Sequence, residues 1–325
     1  MNKQWLIILL ILLPLISMSA CESQDEDTEG DEDSFPNRML TYSIPFMPGG
    51  QSDVDARRQL PYLEESLNES VAIMYKDGAG GAIGWTELVN QPPDGHFFAG
   101  INIPHIILQP LTNDDTGYET DDIEPVVLFQ RTPIGIAVSK DSGIETMEQF
   151  IEQSQKESIT VSVTGSYSGS HLLALELESK ANMNLISVPS LGSSETIQSV
   201  LSGTTTAVLA NSPDLLSYKD DFNILAIGSE ERFETLPDVP TFKELGLDIT
   251  ASIERGVAVP PGTSSEEIEK LETAFLDILA NPEVQEEMIR EGFEPLEMGA
   301  DESQDFINQK REELEETLKI MGEIP

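Results

Sequence analysis

The sequence predicts an α/β protein of two domains, each carrying a mostly parallel sheet. Three observations lead there. Short β-type apolar runs alternate with longer helical patterns from residue 39 onward. The alternation runs through the first part of the chain and is repeated in the middle. The 325 residues leave room for two domains of roughly 100–200 residues each.

In order, "MLTYSIPF" reads as a strand and "DVDARRQLPYLEESL" as a helix, with Pro61 a candidate kink. "VAIMY" is a short strand, and "GWTELVNQ" is a helix stopped by the turn signal "PPDG". "FFAGINI", "VVLFQ" and "IGIAVS" are three strand candidates. The middle of the chain repeats the alternation. "TMEQFIEQSQ" is helical, "SITVSVT" a strand, "HLLALELESKA" a helix, "NLISVP" a strand, "SETIQSVLSG" a helix and "TTAVLA" a strand. "NILAIGS", "FKELG" and "GVAVPPG" carry the pattern on. The tail from Ser264 to Met321 is helix-rich, and "SEEIEKLETAFLDILA" opens with a Ser cap and acids in its first turn. A domain boundary falls near Ser139.

The net charge is −41, from 59 acidic and 18 basic residues, and it argues against a nucleic-acid-binding role, which needs Lys and Arg to neutralise phosphates. The acids are spread along the chain, as on a solvated surface suited to saline surroundings; capture of a cationic partner is the sharper alternative. Residues 1–20 combine Lys3, an apolar run broken by Pro14 and the small residues of "MSA" before Cys21, which is the layout of an export signal. Cys21 is the only cysteine, so disulfides within the chain and Cys-rich metal sites are excluded. Residues 21–37 begin as a dense acidic run that predicts a disordered tether. With neither H-E-x-x-H, C-x-x-C nor an EF-hand loop, the sequence offers no metal site and calls for no cofactor.

Two loops can carry ligand chemistry. In "IPFMPGGQSD", Pro48 stiffens a turn after Phe46, and Gly49 and Gly50 leave bare backbone ahead of a helix that Ser52 or Asp53 can cap. Amides at a helix N-terminus suit an anion without any cationic side chain. A tight turn with a capped helix and no ligand is the alternative. In "GSYSGSH", Ser166, Ser168, Gly169, Ser170 and His171 lie between a strand and a helix and again suit a carboxylate. A nucleophilic Ser166 or Ser168 with His171 as base is the alternative, although Tyr167 stands where the hydrolase elbow needs its serine. A third cluster, "DGAGGAIGWTEL", misses the dinucleotide fingerprint by one residue and reads as a backbone-packing turn into a helix that could also touch a ligand.

These segments, in this order, resemble the periplasmic solute-binding proteins of tripartite tricarboxylate transporters, the TctC or Bug family. "IPFMPGGQSD" is similar to the family's "VPFPPGGxxD", "YKDGAGGAIG" to "NxPGAGGxIG", and "PDGHFF" to "PDGYTL". "GSYSGSH" is similar to its serine/glycine loop, "VPSLGSSETIQSVLSGTTTA" to "VPYKGxxxAxxxLLxGxVD", "LPDVPTFKELG" to "LPDVPTxxExG", and "GVAVPPGTS" to "G-L-xAPxGTP". The start of the chain resembles a bacterial lipoprotein signal, which implies acylation of Cys21.

The resemblance implies a periplasmic binding protein type II fold with a cleft between domains. Residues 38–139 and 256–325 would form domain I, and 140–255 domain II. It also implies a non-enzymatic receptor for a small carboxylate, a di- or tricarboxylate above all, with membrane permease subunits as partners. The loops at Pro48–Asp53 and Ser166–His171 would grip one carboxylate, with Asn102 and His105 lining the cleft and Asn211 at the far end of the ligand. Arg255, next to Glu254 where the family often has an aromatic residue, is placed to fork onto a second carboxylate or to pair with a neighbouring acid. The family's "PYKG" is "PSLG" here, with Ser190 and Leu191. A sensory binding protein that serves a membrane kinase is the functional alternative.

Overall fold

Strand β1 (Leu40–Ile44) pairs in parallel with β2 (Val71–Tyr75), in register from Leu40 opposite Val71 to Ile44 opposite Tyr75. Helix α1 (Gln51–Leu67) makes the crossover between them. Its buried residues include Ala56, Gln59, Leu63 and Leu67, spaced to form one stripe against the sheet. The helix runs on through Pro61, which has no N–H to bond the carbonyl four residues back. Helix α2 (Ala82–Val89) leads to β3 (Phe97–Ile103), parallel to β1, and α3 (His105–Thr112) follows.

The computed structural model describes residues 35–324 apart from Asp114, Leu191 and Glu323. The export signal over 1–20, Cys21 and the tether up to residue 34 lie outside the described residues, as does Leu191. At Phe35 the chain is packed, with its ring edge-on to His96 at 5.0 Å.

Two strand candidates, "VVLFQ" and "IGIAVS", are one strand, β4 (Glu124–Ser139). Its first half pairs antiparallel with β9 (Ser252–Val259) and β10 (Glu294–Met298). Its second half pairs antiparallel with β7 (Ala207–Asn211) and β8 (Phe222–Ile227). Pro133 lies opposite Ser252, at the changeover between these partners, where a missing N–H is tolerated.

The second parallel arm consists of β5 (Ile159–Val163), β6 (Leu185–Pro189) and β7, all parallel. The helices of this half are α4 (Met147–Lys156), α5 (Gly169–Ala181), α6 (Ser193–Leu201) and α7 (Ser212–Ser217). The strand order is β2-β1-β3-β9-β4-β7-β5-β6, with β8 and β10 off this path, each paired to β4. The arms are parallel as the sequence predicts. The joint is antiparallel, because β4 carries the chain across and β9 brings it back beside β4.

Helices α8 (Ser265–Leu279), α9 (Pro282–Glu291) and α10 (Ala300–Met321) make up the tail, with β10 between the last two. Ser264 and Glu267 form a reciprocal capping box at the start of α8. Phe275 of α8 packs against Tyr42 and Phe98, so the tail completes the hydrophobic core of the first arm. Phe150, Leu173, Leu177 and Phe242 belong to a separate core around β5 and β7. Burying each such side chain contributes about 1.5–3 kcal/mol.

Candidate binding site

Parallel strands gather their carboxyl ends, and the helix N-termini that follow, along one edge. Here β1 leads into α1, β3 into α3, β5 into α5, β6 into α6 and β7 into α7.

The first glycine loop is a turn in which Gly49 takes φ +82°, a conformation that favours glycine. Pro48, Gly49 and Gly50 are exposed, and a Cβ at Gly49 would meet nothing within 4 Å. Gly50, not Ser52 or Asp53, is the N-cap of α1. Asp53 instead folds back, and its Oδ2 accepts a 2.7 Å bond from Gly49 N–H. Its Oδ1 accepts from the Tyr75 hydroxyl at 2.7 Å and pairs with Arg57 Nε at 2.8 Å. Burial alone would raise the Asp53 carboxyl, but these bonds outweigh it and hold the group below its ordinary range. The Gly49 amide is therefore occupied by the protein's own carboxylate. The N–H groups of Asp53 and Val54 bond to Gly50 O, which leaves those of Gln51 and Ser52 as unpaired donors among the described residues.

The second loop uses its hydroxyls internally. Ser168 caps α5, accepting from His171 N–H at 3.2 Å and donating to Gly165 O at 3.0 Å. Ser170 Oγ accepts from Thr164 N–H at 2.9 Å. His171 Nδ1 accepts from Tyr167 N–H at 3.1 Å, so its ring proton belongs on Nε2. Ser166 is exposed. The free donors here are again two helix amides, at Gly169 and Ser170. A Cβ on Gly169 would lie 3.6 Å from Pro104, so this loop touches the "GINIPH" turn of the first half.

Between the loops the structure brings several expected residues together. Phe46 is edge-on to His105 at 6.1 Å, and Ser52 Oγ lies 3.5 Å from Asn102 Oδ1. Asn211 Nδ2 donates to Gln51 Oε1 at 3.3 Å. Arg255 is buried; its Nη2 donates to the same Gln51 oxygen at 2.6 Å and its Nη1 donates to Thr132 Oγ1. Its Nε has no hydrogen-bond partner among the described residues. Burial pulls the Arg255 guanidinium below its ordinary value, against the opposing charges of Asp55, Asp214 and Glu254. His105 is held neutral, its pKa lowered to about 4 by burial and then by Arg255.

Arg255 and Glu254 do not pair as neighbours. They point to opposite faces of β9, and Glu254 bonds Arg131 Nε at 2.9 Å. The sequence reading missed Asp214, Asp55 and Thr132, which belong to separate elements and show no shared spacing. In the third glycine cluster, Cβ atoms on Gly78, Gly80 and Gly81 would strike Ile83, Gln109 and Trp85 at 2.5–2.6 Å, so it is a packing turn. Among the described residues no group of His, Cys, Asp and Glu is arranged to hold a metal, and no helix is long and apolar enough to cross a membrane.

Known proteins are similar to this chain in sequence and architecture. BugT of Bordetella pertussis is 28% identical over 284 residues, covering 85% of this chain and 86% of its own. The structure of the periplasmic binding protein BugD has a TM-score of 0.81 at 26% identity, covering 89% and 99% of the two chains. A Rhodopseudomonas palustris protein with adipate has a TM-score of 0.83 at 23% identity over 89% and 99%. MatC of the same organism, with bound malate, has 0.78 at 22% over 87% and 100%. These last two show the fold alone. Residues 56–323 match the profile of the tripartite tricarboxylate transporter family receptor, and the chain belongs to that family of solute-binding proteins.

Proposed function

We propose that this receptor, extracytoplasmic like its family, captures a small dicarboxylate or tricarboxylate and delivers it to a tripartite permease, held to the membrane through an acylated Cys21. One observation carries the ligand class. Two pairs of unpaired helix amides, Gln51–Ser52 and Gly169–Ser170, stand at strand carboxyl ends in different arms. Asn211, which bonds Gln51, ends β7, the parallel neighbour of β5 from which α5 starts. On this reading both pairs border one region, where a carboxylate between them would complete both helix termini. Adipate and malate in proteins of the same fold support this class.

The lobes, 38–139 with 256–325 and 140–255, would close about β4 and β9 on the ligand. A net charge of −41 repels an anion at low ionic strength, and salt screens that repulsion within about 8–10 Å. Adipate, malate, citrate and acetate in a thermal-shift screen followed by calorimetry are the test. A saturable 1:1 complex with at least one di- or tricarboxylate, tighter at moderate than at low salt, is the expected result. A melting temperature indifferent to all four, or affinity falling steeply with salt, would count against it.

A further inference from the structure

Strand alternation gives the β4/β9 joint two faces. Arg255 and Thr132 face the site above; Glu254 and its cross-strand neighbour Arg131 face the other way. On that reverse face lies an open-mouthed cavity of about 510 Å³, bordered by the 228–234 loop and by the tail through Glu294 and Phe306.

Glu254 is 1% exposed. Its Oε1 accepts from Arg131 Nε at 2.9 Å and from Ser252 Oγ at 2.6 Å, while its Oε2 is buried with no hydrogen-bond partner among the described residues. A buried carboxylate oxygen without a donor is costly. Glu294 shares the same guanidinium at 4.0 Å, and burial together with the nearby Glu254 charge pushes its carboxyl above the ordinary range. Six glutamates line the cavity against three cations. The other two cations are already paired, Arg232 with Glu244 at 3.0 Å and Lys310 with Glu313, itself a lining residue, at 3.2 Å. The lining Glu230 pairs with Lys243 at 2.5 Å, which leaves Glu254, Glu294, Glu231 and Glu234 to share Arg131. A positive charge that can donate a hydrogen bond is what this cavity lacks.

From this we infer a second binding site, on the back of the joint, for a small aliphatic primary ammonium ion. The acids are too dispersed to form a metal cluster among the described residues, so the charge must sit on an organic body. Phe233 and Phe306 line the same cavity and offer ring surface to the methylene carbons next to an ammonium. The ammonium would donate to Glu254 Oε2 and neutralise Glu294.

The test is calorimetry of the full chain with 1,4-diaminobutane, at an ionic strength that screens the acidic surface. One saturable site is expected. Tetramethylammonium, which has no N–H to donate, should bind at least tenfold more weakly. Glu254→Gln and Glu294→Gln should each weaken diaminobutane at least tenfold, whereas Glu152→Gln on an exposed helix face should not. Glu294 is half-buried, so its variant keeps the test alive if Glu254→Gln fails to fold. Non-saturable binding that salt abolishes, equal binding of tetramethylammonium, or undiminished affinity in Glu294→Gln would overturn the site. Carboxylate binding on the opposite face provides a separate readout, so the two proposals can fail independently.

Discussion

Gln51 Oε1 accepts a 2.6 Å hydrogen bond from Arg255 Nη2, tying the first turn of α1 to strand β9. The same oxygen accepts from Asn211 Nδ2 at the end of β7, and Gln51 Nε2 lies 3.5 Å from Asp214 Oδ2. One carboxamide thus spans three elements from both halves of the sheet. Gln51→Ala should remove the clasp and weaken carboxylate binding by about 1–2 kcal/mol, five- to thirty-fold. Calorimetric titration of wild type and variant with the same dicarboxylate measures this. Unchanged or tighter binding would mean that Gln51 plugs the site and does not close it.

Arg255 is the counter-charge for a group of buried acids, and removing it should be expensive. Arg255→Met keeps roughly the volume but leaves Asp55, 1% exposed, with Arg58 at 3.1 Å as its cationic partner and the neutral Gln130 amide at 3.1 Å. Breaking one side of such a buried cluster costs about 3–5 kcal/mol. The pH dependence identifies the cause. Asp55 is already raised by burial, against the pull of Arg255 and Arg58. Without Arg255 it should rise further. A folded-state pKa above the unfolded value favours the folded state at low pH and loses that contribution as pH rises through it. The deficit should therefore be largest near neutral pH and shrink on acidification. Urea unfolding at several pH values checks this; a deficit independent of pH would assign the loss to packing.

The same residues show how far the sequence could be read. The parallel arms were legible because strand and helix periods alternate cleanly, as in "SITVSVT" followed by "HLLALELESKA". The continuous β4 was not, because Thr132–Pro133 reads as a break until β9 hands over to β7 at that point. Strand β10, "EPLEM", carries no alternation, and its pairing with β4 alone makes it a strand. The bare backbone of the first loop was visible from Pro48–Gly49–Gly50. The return of Asp53 to the Gly49 amide was not, since it depends on Tyr75 and Arg57 holding the carboxylate in place. Arg255 stood out as a rare cation, but its partners come from α1, β4 and α7, and no spacing in one sequence encodes that convergence.

His105 should make the protein acid-sensitive before most carboxylates titrate. Its imidazole is buried, with Nδ1 unpartnered among the described residues, and its pKa falls from 6.5 to about 4, through burial first and then Arg255. The unfolded chain binds a proton at this residue below about pH 6.5, while the folded protein refuses it until about pH 4. In that window the unfolded state holds more protons, so stability falls as pH falls. The shift corresponds to about 3 kcal/mol once pH reaches the folded value. His105→Gln keeps a neutral polar side chain and has no proton to bind. The stability of wild type minus variant, from urea unfolding between pH 7 and 4, should decline from about pH 6.5 and level off near pH 4. Parallel curves for the two proteins would show that His105 is protonated without penalty, and that the ring is not desolvated as the packing of Phe46 and Arg255 around it requires.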